Sequence, residues 1–430
     1  NGQPAKAIAM LEELNGPVWV GAFTTVHAGL IADYAGLYQI STDRLRTAYE
    51  QDSTDLRVVE AYMRTLARSG DMEAAHGVIE AFEQQSGGAD RISAMLREAI
   101  EGDEVAPQIE NPRVGMAEAL YGLGRGVGTN DSTLAASLLQ LSLFLSPNAD
   151  FPAMALGSLY EGMGQHQAAI DVYRMVPEEA VLRREASMQE ALNLNVLKRH
   201  GEAVSLLAGL VEDEPDDVAA SIALGNVHRS LEEFERAAEV YTMAIDSFDD
   251  VPAQLWTLFY YRGIALERVG RWRDAEKDFR KALELSPEHP LVLNYLGYSY
   301  IDRGENLDEA VDMVRRAVAE RPDDGYIVDS LGWAYYRLGR YEEAVEELER
   351  AVSLRPGDPV INDHLGDAYW KVGRKLEATF QWAHARDSNP DIKELPNILR
   401  KLEVGLDVAE EETTDTADAV REPDPDTVPQ

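Results

Sequence analysis

The stretch GWAYYRLGRYEEAVEELERAVSLRPGD, residues 332–358, is restated in different letters from Gly366 as GDAYWKVGRKLEATFQWAHARDSNPD. Both copies read Gly-x-Ala-Tyr, then Gly-Arg, then Glu-Ala, then a large apolar residue, then Pro. A third copy starts at Gly297, with one extra residue in its turn. The alanine of the motif recurs at Ala135, Ala169, Ala203 and Ala237, then at Ala275, Ala310, Ala344 and Ala378. The spacing is 34 residues except where the chain is longer, around DDVPAQ and in the 297 copy. Each copy reads as two short helices. Val328, Leu331, Gly332 and Tyr335 follow the 3/4 spacing of one helix face, and Gly339 breaks the helix at a tight turn. Ala344, Leu348 and Ala351 mark a second helix, which Pro356 stops. Helices this short do not hold in isolation, so stability must come from stacking on neighbours.

On these residues the chain resembles the tetratricopeptide repeat (TPR) family. Gly332, Tyr335, Ala344, Leu348, Ala351 and Pro356 match its small-Tyr-Ala-large-Ala-Pro skeleton. So do Gly366, Tyr369, Ala378, Trp382, Ala385 and Pro390. Gly263, Ala275, Phe279, Ala282 and Pro287 repeat the theme, as do Gly157, Tyr160, Ala169 and Tyr173. Arg262 and Glu190 depart from it where an apolar residue is usual, and Asp249 stands where Pro is expected. A weaker set runs through Gly29, Leu45, Ala48, Met63, Ala75 and Ile79. The resemblance implies an all-α solenoid, a right-handed superhelix of stacked helix-turn-helix repeats. Its expected organisation is degenerate repeats over 1–83, an irregular junction over 84–114 and the main array over 115–390. A capping helix over 391–404 and a disordered acidic tail over 405–430 complete it.

The 430 residues carry a formal net charge of −37, which speaks against nucleic acid and against adsorption to anionic lipid. Nine acids fall from Asp407 onward against Arg421 alone, so most of the excess belongs to the repeats. There is no cysteine, which removes disulfides, thiolate nucleophiles and cysteine-ligated metals. No apolar run is long enough to span a bilayer, and no membrane insertion is expected. The opening QPAKAIAMLEEL reads as the middle of a pattern, so the chain is expected to be a fragment or a processed form.

The eight histidines form no metal-ligand motif, and His228 reads as a core histidine. GLGRGVG at 122–128 lacks the Lys-Ser/Thr ending of a phosphate loop and reads as a flexible connection between two helices. No nucleophile–base pair can be assembled, so neither an enzyme nor a cofactor is expected.

The resemblance places ligand contacts on the first helix of each repeat. Those positions hold Tyr260, Tyr298, Tyr326, Trp333, Tyr336 and Trp370, with Asn294, Arg337, Asp363, Asp367 and Lys371. Aromatic rings on such a face supply contact area at low entropic cost. The cationic clamp by which some TPR proteins hold an acidic chaperone tail does not fit, because carboxylates stand where it needs cations. Instead Asp363 and Asp367 are expected to favour a partner segment carrying Lys or Arg. The C-terminal third also resembles exported bacterial envelope TPR proteins, some of them lipoproteins, that act as adaptors for carboxy-terminal processing proteases. A protein-binding adaptor in the periplasm is therefore expected, its partner an envelope protease or assembly factor. The alternatives are a cytoplasmic scaffold and the binding part of a larger enzyme.

Overall fold

The computed structural model describes residues 3–86, 91–102, 104–128 and 130–408, and among these it is built from α-helices without a strand. The chain divides into two compact units, Asn1–Leu231 and Glu232–Gln430.

The first unit begins with α1 (Pro4–Glu12), α2 (Val18–Tyr34), α3 (Tyr38–Gln51), α4 (Leu56–Arg68) and α5 (Met72–Ser86). It continues with α6 (Arg91–Glu98), α7 (Pro112–Val127), α8 (Ser132–Leu145), α9 (Asp150–Gly162) and α10 (His166–Tyr173). It closes with α11 (Arg183–Val196), α12 (His200–Asp213) and α13 (Val218–Ser230). The second unit holds α14 (Phe234–Asp246), α15 (Trp256–Arg268), α16 (Trp272–Leu285), α17 (Pro290–Arg303) and α18 (Leu307–Glu320). Then come α19 (Gly325–Arg337), α20 (Tyr341–Leu354), α21 (Pro359–Lys371), α22 (Lys375–Asp387) and α23 (Leu395–Val404).

Within each unit consecutive helices pack as antiparallel hairpins, α19 on α20 and α21 on α22 among the most extensive. One contact explains the period. A Cβ on Gly332 would lie 2.5 Å from Leu348, and one on Gly366 would lie 2.4 Å from two atoms of the Trp382 indole. Only glycine lets the partner side chain reach the first helix's backbone, while Ala344, Ala378, Leu348 and Trp382 are fully buried beside it. The same contact joins Gly29 to Leu45 in the first unit. The turn glycine Gly339 has φ +72, a left-handed conformation that glycine adopts without strain. Asp358 caps α21 by accepting from the amides of Val360 and Ile361, and Pro359 occupies the first turn.

The departures from the repeat skeleton are compensated. Arg262 donates two 2.7 Å hydrogen bonds to the buried carboxylate of Asp278 on the second helix of its hairpin. Buried Glu190 accepts from Arg174 at 2.7 Å. An apolar contact has been exchanged for an ion pair at the same place.

Two segments of the expected organisation take definite structure. Among the described residues of 84–114, α6 and the stretch after it are docked against their neighbours. Leu96 and Ile100 are buried with Val59, Met63 and Ile79, and Ile109 with Leu30 and Leu45. Arg64 donates to the carbonyls of Ala99 and Ala106, and Arg68 to that of Val105, so the α4 arginines hold the segment down. At the other end α23 forms within the expected capping segment, but the ordered chain runs past residue 404. Leu406 is buried and Asp407 is hydrogen-bonded. The rest of the expected tail, 409–430, lies outside the described residues.

Candidate functional site

In the second unit the first helices α17, α19 and α21 touch one another directly and carry most of the predicted contact residues. At the centre is a stack of three nearly parallel rings. Trp333 lies 4.7 Å from Tyr336 at 8° and 4.0 Å from His364 at 16°. The Nδ1–H of His364 is shared between both carboxylate oxygens of Asp329, at 3.0 and 3.1 Å. Burial works against protonation of His364, but the charge and hydrogen bond of Asp329, aided by Asp363 and Asp367, outweigh it and raise its pKa. Arg337 reaches back to the carboxylate and carbonyl of Asp302 on α17. Tyr298 is half-buried beside Asp302, Asp329 and Arg337, and burial pushes its phenol up to about 12.

The structure therefore brings Tyr298, Trp333, Tyr336 and Arg337 together. Tyr336, however, is 8% exposed and belongs to the packing of the stack more than to its surface. Tyr260 sits in a second aromatic group with Trp256, Phe279 and Tyr295, and Asn294 is half-buried on α17. Tyr326 is exposed, with the Arg355 guanidinium 4.1 Å above its ring.

The last hairpin corrects the expected charge of the face. Lys401 of α23 lies 2.7 Å from both Asp363 and Asp367 and is 5% exposed. Asp367 also accepts from the Trp382 indole N–H at 2.8 Å and is itself buried. Both carboxylates are thus paired with the protein's own lysine, and Asp367 is buried away from any partner. Burial pushes Asp367 up to about 6, partly opposed by Lys401 and reinforced by Asp363. Lys401 is held charged by the same two acids despite its burial. Trp370 and Lys371 are engaged as well, each donating to Asp407, at 2.9 and 3.3 Å.

The first unit fills its corresponding face differently. GLGRGVG, read from sequence as a loop, is the C-terminal half of α7 and packs against α2. A Cβ on Gly122 would meet His27 at 2.8 Å and Phe23 at 3.1 Å, and one on Gly126 would lie 2.3 Å from the nearest atom of the Trp19 ring. Two glycines one turn apart make a flat track on which α2 lays its aromatics. His27 is buried there, its Nδ1 2.8 Å from the Phe23 carbonyl, and burial lowers its pKa. Below the track Arg57 pairs with Glu118 at 2.6 Å and Glu60 at 2.8 Å, with its guanidinium 5.0 Å from the Phe151 ring. Arg125 pairs with Asp55 at 2.7 Å. A cavity of about 320 Å³ remains between α2, α4 and α7. Sequence reasoning missed this arrangement, and its one visible signal was the i, i+4 spacing of Gly122 and Gly126. His228, read as a core residue, is buried.

The sequence matches two family models: "Tetratricopeptide repeat" over residues 188–252 and 260–325, and "TPR repeat" over 332–373. A TPR repeat-containing protein of Pseudomonas aeruginosa is 36% identical over 83 residues, which are 19% of this chain and 14% of that protein. The BBSome complex member BBS4 of Bos taurus is 25% identical over 170 residues, 40% of this chain and 29% of that protein. This chain thus spans under a third of either curated relative. Among solved structures, a tetratricopeptide repeat protein from Parabacteroides merdae is similar at a TM-score of 0.48 and 16% identity, covering 58% of this chain and 96% of its own. Yeast Tom70 is similar at 0.48 and 13%, covering 97% and 94%.

Proposed function

This chain belongs to the tetratricopeptide repeat family, and from that premise we propose a non-catalytic adaptor that holds a protein partner on the first-helix face of its second unit. The observation that carries the proposal is the half-buried Trp333, clamped between Tyr336 and His364, with Tyr298 and Arg337 beside it. A ring fixed by its neighbours loses little freedom when a partner covers its free edge, so it gives contact area without an ordering cost. The five side chains come from three helices, α17, α19 and α21, with the Arg337–Asp302 contact joining the first two, which makes the surface pre-organised.

The same reading puts the protein in the envelope of a Gram-negative bacterium, with an envelope protease or assembly factor as partner. What supports this is the wording of the C-terminal third and the likeness to a Pseudomonas protein. A photo-crosslinking amino acid placed at Tyr298 in intact cells tests both parts. One partner should be captured, in the periplasmic or outer-membrane fraction, and its yield should fall at least tenfold in Trp333→Ala. Equal yields with and without Trp333 would reject the face, and a cytoplasmic partner would reject the location.

A further inference from the structure

Residues 405–407 turn back from the end of α23 onto α21, and the way they sit there says what that end of the face recognises. Gly405 has φ +86, a conformation that side-chain-bearing residues rarely adopt, and a Cβ on it would lie 2.5 Å from two atoms of the Trp370 ring. Glycine is thus what lets the backbone lie flat on the indole. Leu406 is buried at 1% exposure. Asp407, exposed, accepts from the Trp370 indole N–H and from the Lys371 ammonium, while the Lys375 ammonium stands 4.3 Å from the centre of the Trp370 ring. Asp407 is held below the usual carboxylate range, first by the Trp370 hydrogen bond and then by Lys371 and Lys375.

Resting on the binding face proposed above, we infer that Trp370, Lys371 and Lys375 form a carboxylate-recognising notch and that Gly405–Leu406–Asp407 is its built-in placeholder. The partner segment for this end of the face is an apolar residue followed by Asp or Glu, which takes the place of Leu406 and Asp407. The charge logic is the reverse of the one the sequence suggested. Asp363 and Asp367 are both paired with the buried Lys401, whereas Lys371 and Lys375 stand on the rim of a chain of net charge −37. An ion pair as exposed as that of Asp407 adds little to stability, so a competing carboxylate can displace it. Lys401 is buried and doubly paired, so α23 stays docked while the three residues after it lift.

The test uses the full chain labelled with 5-fluorotryptophan and read by ¹⁹F NMR, the Trp370 resonance being assigned by substitution. Gly405→Ala should move that resonance by lifting the placeholder, with helicity unchanged. Adding the blocked peptide acetyl-LEVGLDV-amide should then return it toward its wild-type position. The wild-type Trp370 resonance should stay in place at the same peptide concentrations, and a peptide with Asn for Asp should have no effect on wild type or variants. Asp407→Ala, which keeps the glycine and the notch, should also bind the peptide and covers the case in which Gly405→Ala fails to fold. If neither substitution moves the Trp370 resonance, the placeholder is not seated on the ring and the inference falls. It falls equally if wild type and variants respond alike, or if the Asn peptide works as well. None of these outcomes bears on Trp333, whose crosslinking test stands alone.

Discussion

Two regions of this molecule face the same problem and answer it in opposite ways. A stack of helical hairpins leaves its first-helix face to be filled. Between α2 and α7 the filling is glycine against aromatic, with Trp19, Phe23 and His27 laid on Gly122 and Gly126. On α19, α21 and α23 it is ring on ring and lysine on aspartate. The first is a contact of backbone with side chain that no rotamer change relieves. The second is made of side chains, and at its end the exposed Asp407 closes it through contacts that a competing group can replace. A face closed by glycines is architecture, whereas one closed by removable groups can be reopened, and that is where a partner is to be sought.

The contrast can be broken most forcefully at Lys401. Lys401→Met leaves Asp363 and Asp367 buried without a cation, and removing one partner of a buried pair commonly costs about 3–5 kcal/mol. The loss should appear as early detachment of α23 in hydrogen exchange. Adding Asp363→Asn and Asp367→Asn to the same chain should recover much of it. Next comes Gly126→Ala. Alanine ordinarily favours a helix by about 1 kcal/mol over glycine. Here its methyl would collide with Trp19, and overpacking should turn that gain into a loss of about 1–3 kcal/mol. A chemical-denaturation midpoint that rises instead would show that the α2–α7 closure is loose, and the contrast would collapse.

Trp333→Ala should lower stability by about 1 kcal/mol through the lost stack, beyond the area it buries, while abolishing partner capture. Unfolding of the second unit on this single change would instead make the ring part of the core. A smaller effect is expected from pH. Asp367, near 6 in the folded chain against an ordinary 3.8, takes up a proton on folding between those values. Its contribution therefore declines as pH rises from about 4 to 6. His364 is raised above 6.5, so its contribution is full below 6.5 and declines as pH climbs past its folded value. Both act in one direction among Asp329, Asp363 and Lys401, and protection of α21 and α23 against exchange should be greater at pH 5.5 than at pH 8. Smallest of all, Asp407→Asn should change stability by less than about 1 kcal/mol, as exposed pairs do.

The hairpins were legible in the sequence because each is fixed by contacts that recur inside one repeat. Gly332 with Leu348 and Gly366 with Trp382 sit sixteen residues apart, so the period exposes them. What closes the faces was not legible, since those contacts join residues outside any repeat. Lys401 reaches Asp363 from beyond the last copy, and Gly126 meets Trp19 across the four helices that separate them in the chain. Four glycines in seven residues also lower helix propensity, which made α7's second half read as a loop. Tertiary packing overrides propensity there, because a larger residue would push α2 away. The contact positions themselves were readable from the repeat, but not their occupancy. Asp363 and Asp367 look like open acids until the lysine that silences them is in place.

The α2–α7 contact also bears on how the chain responds to force. A row of repeats that touch only their neighbours comes apart one element at a time, like links drawn from a chain. Joining the second helix to the seventh, with Arg57 tied to Glu118 underneath, turns that row into a closed hoop. Pulled from its ends in an optical trap, the stretch from α2 to α7 should yield in a single large step. The repeats from α15 to α22 should pay out hairpin by hairpin.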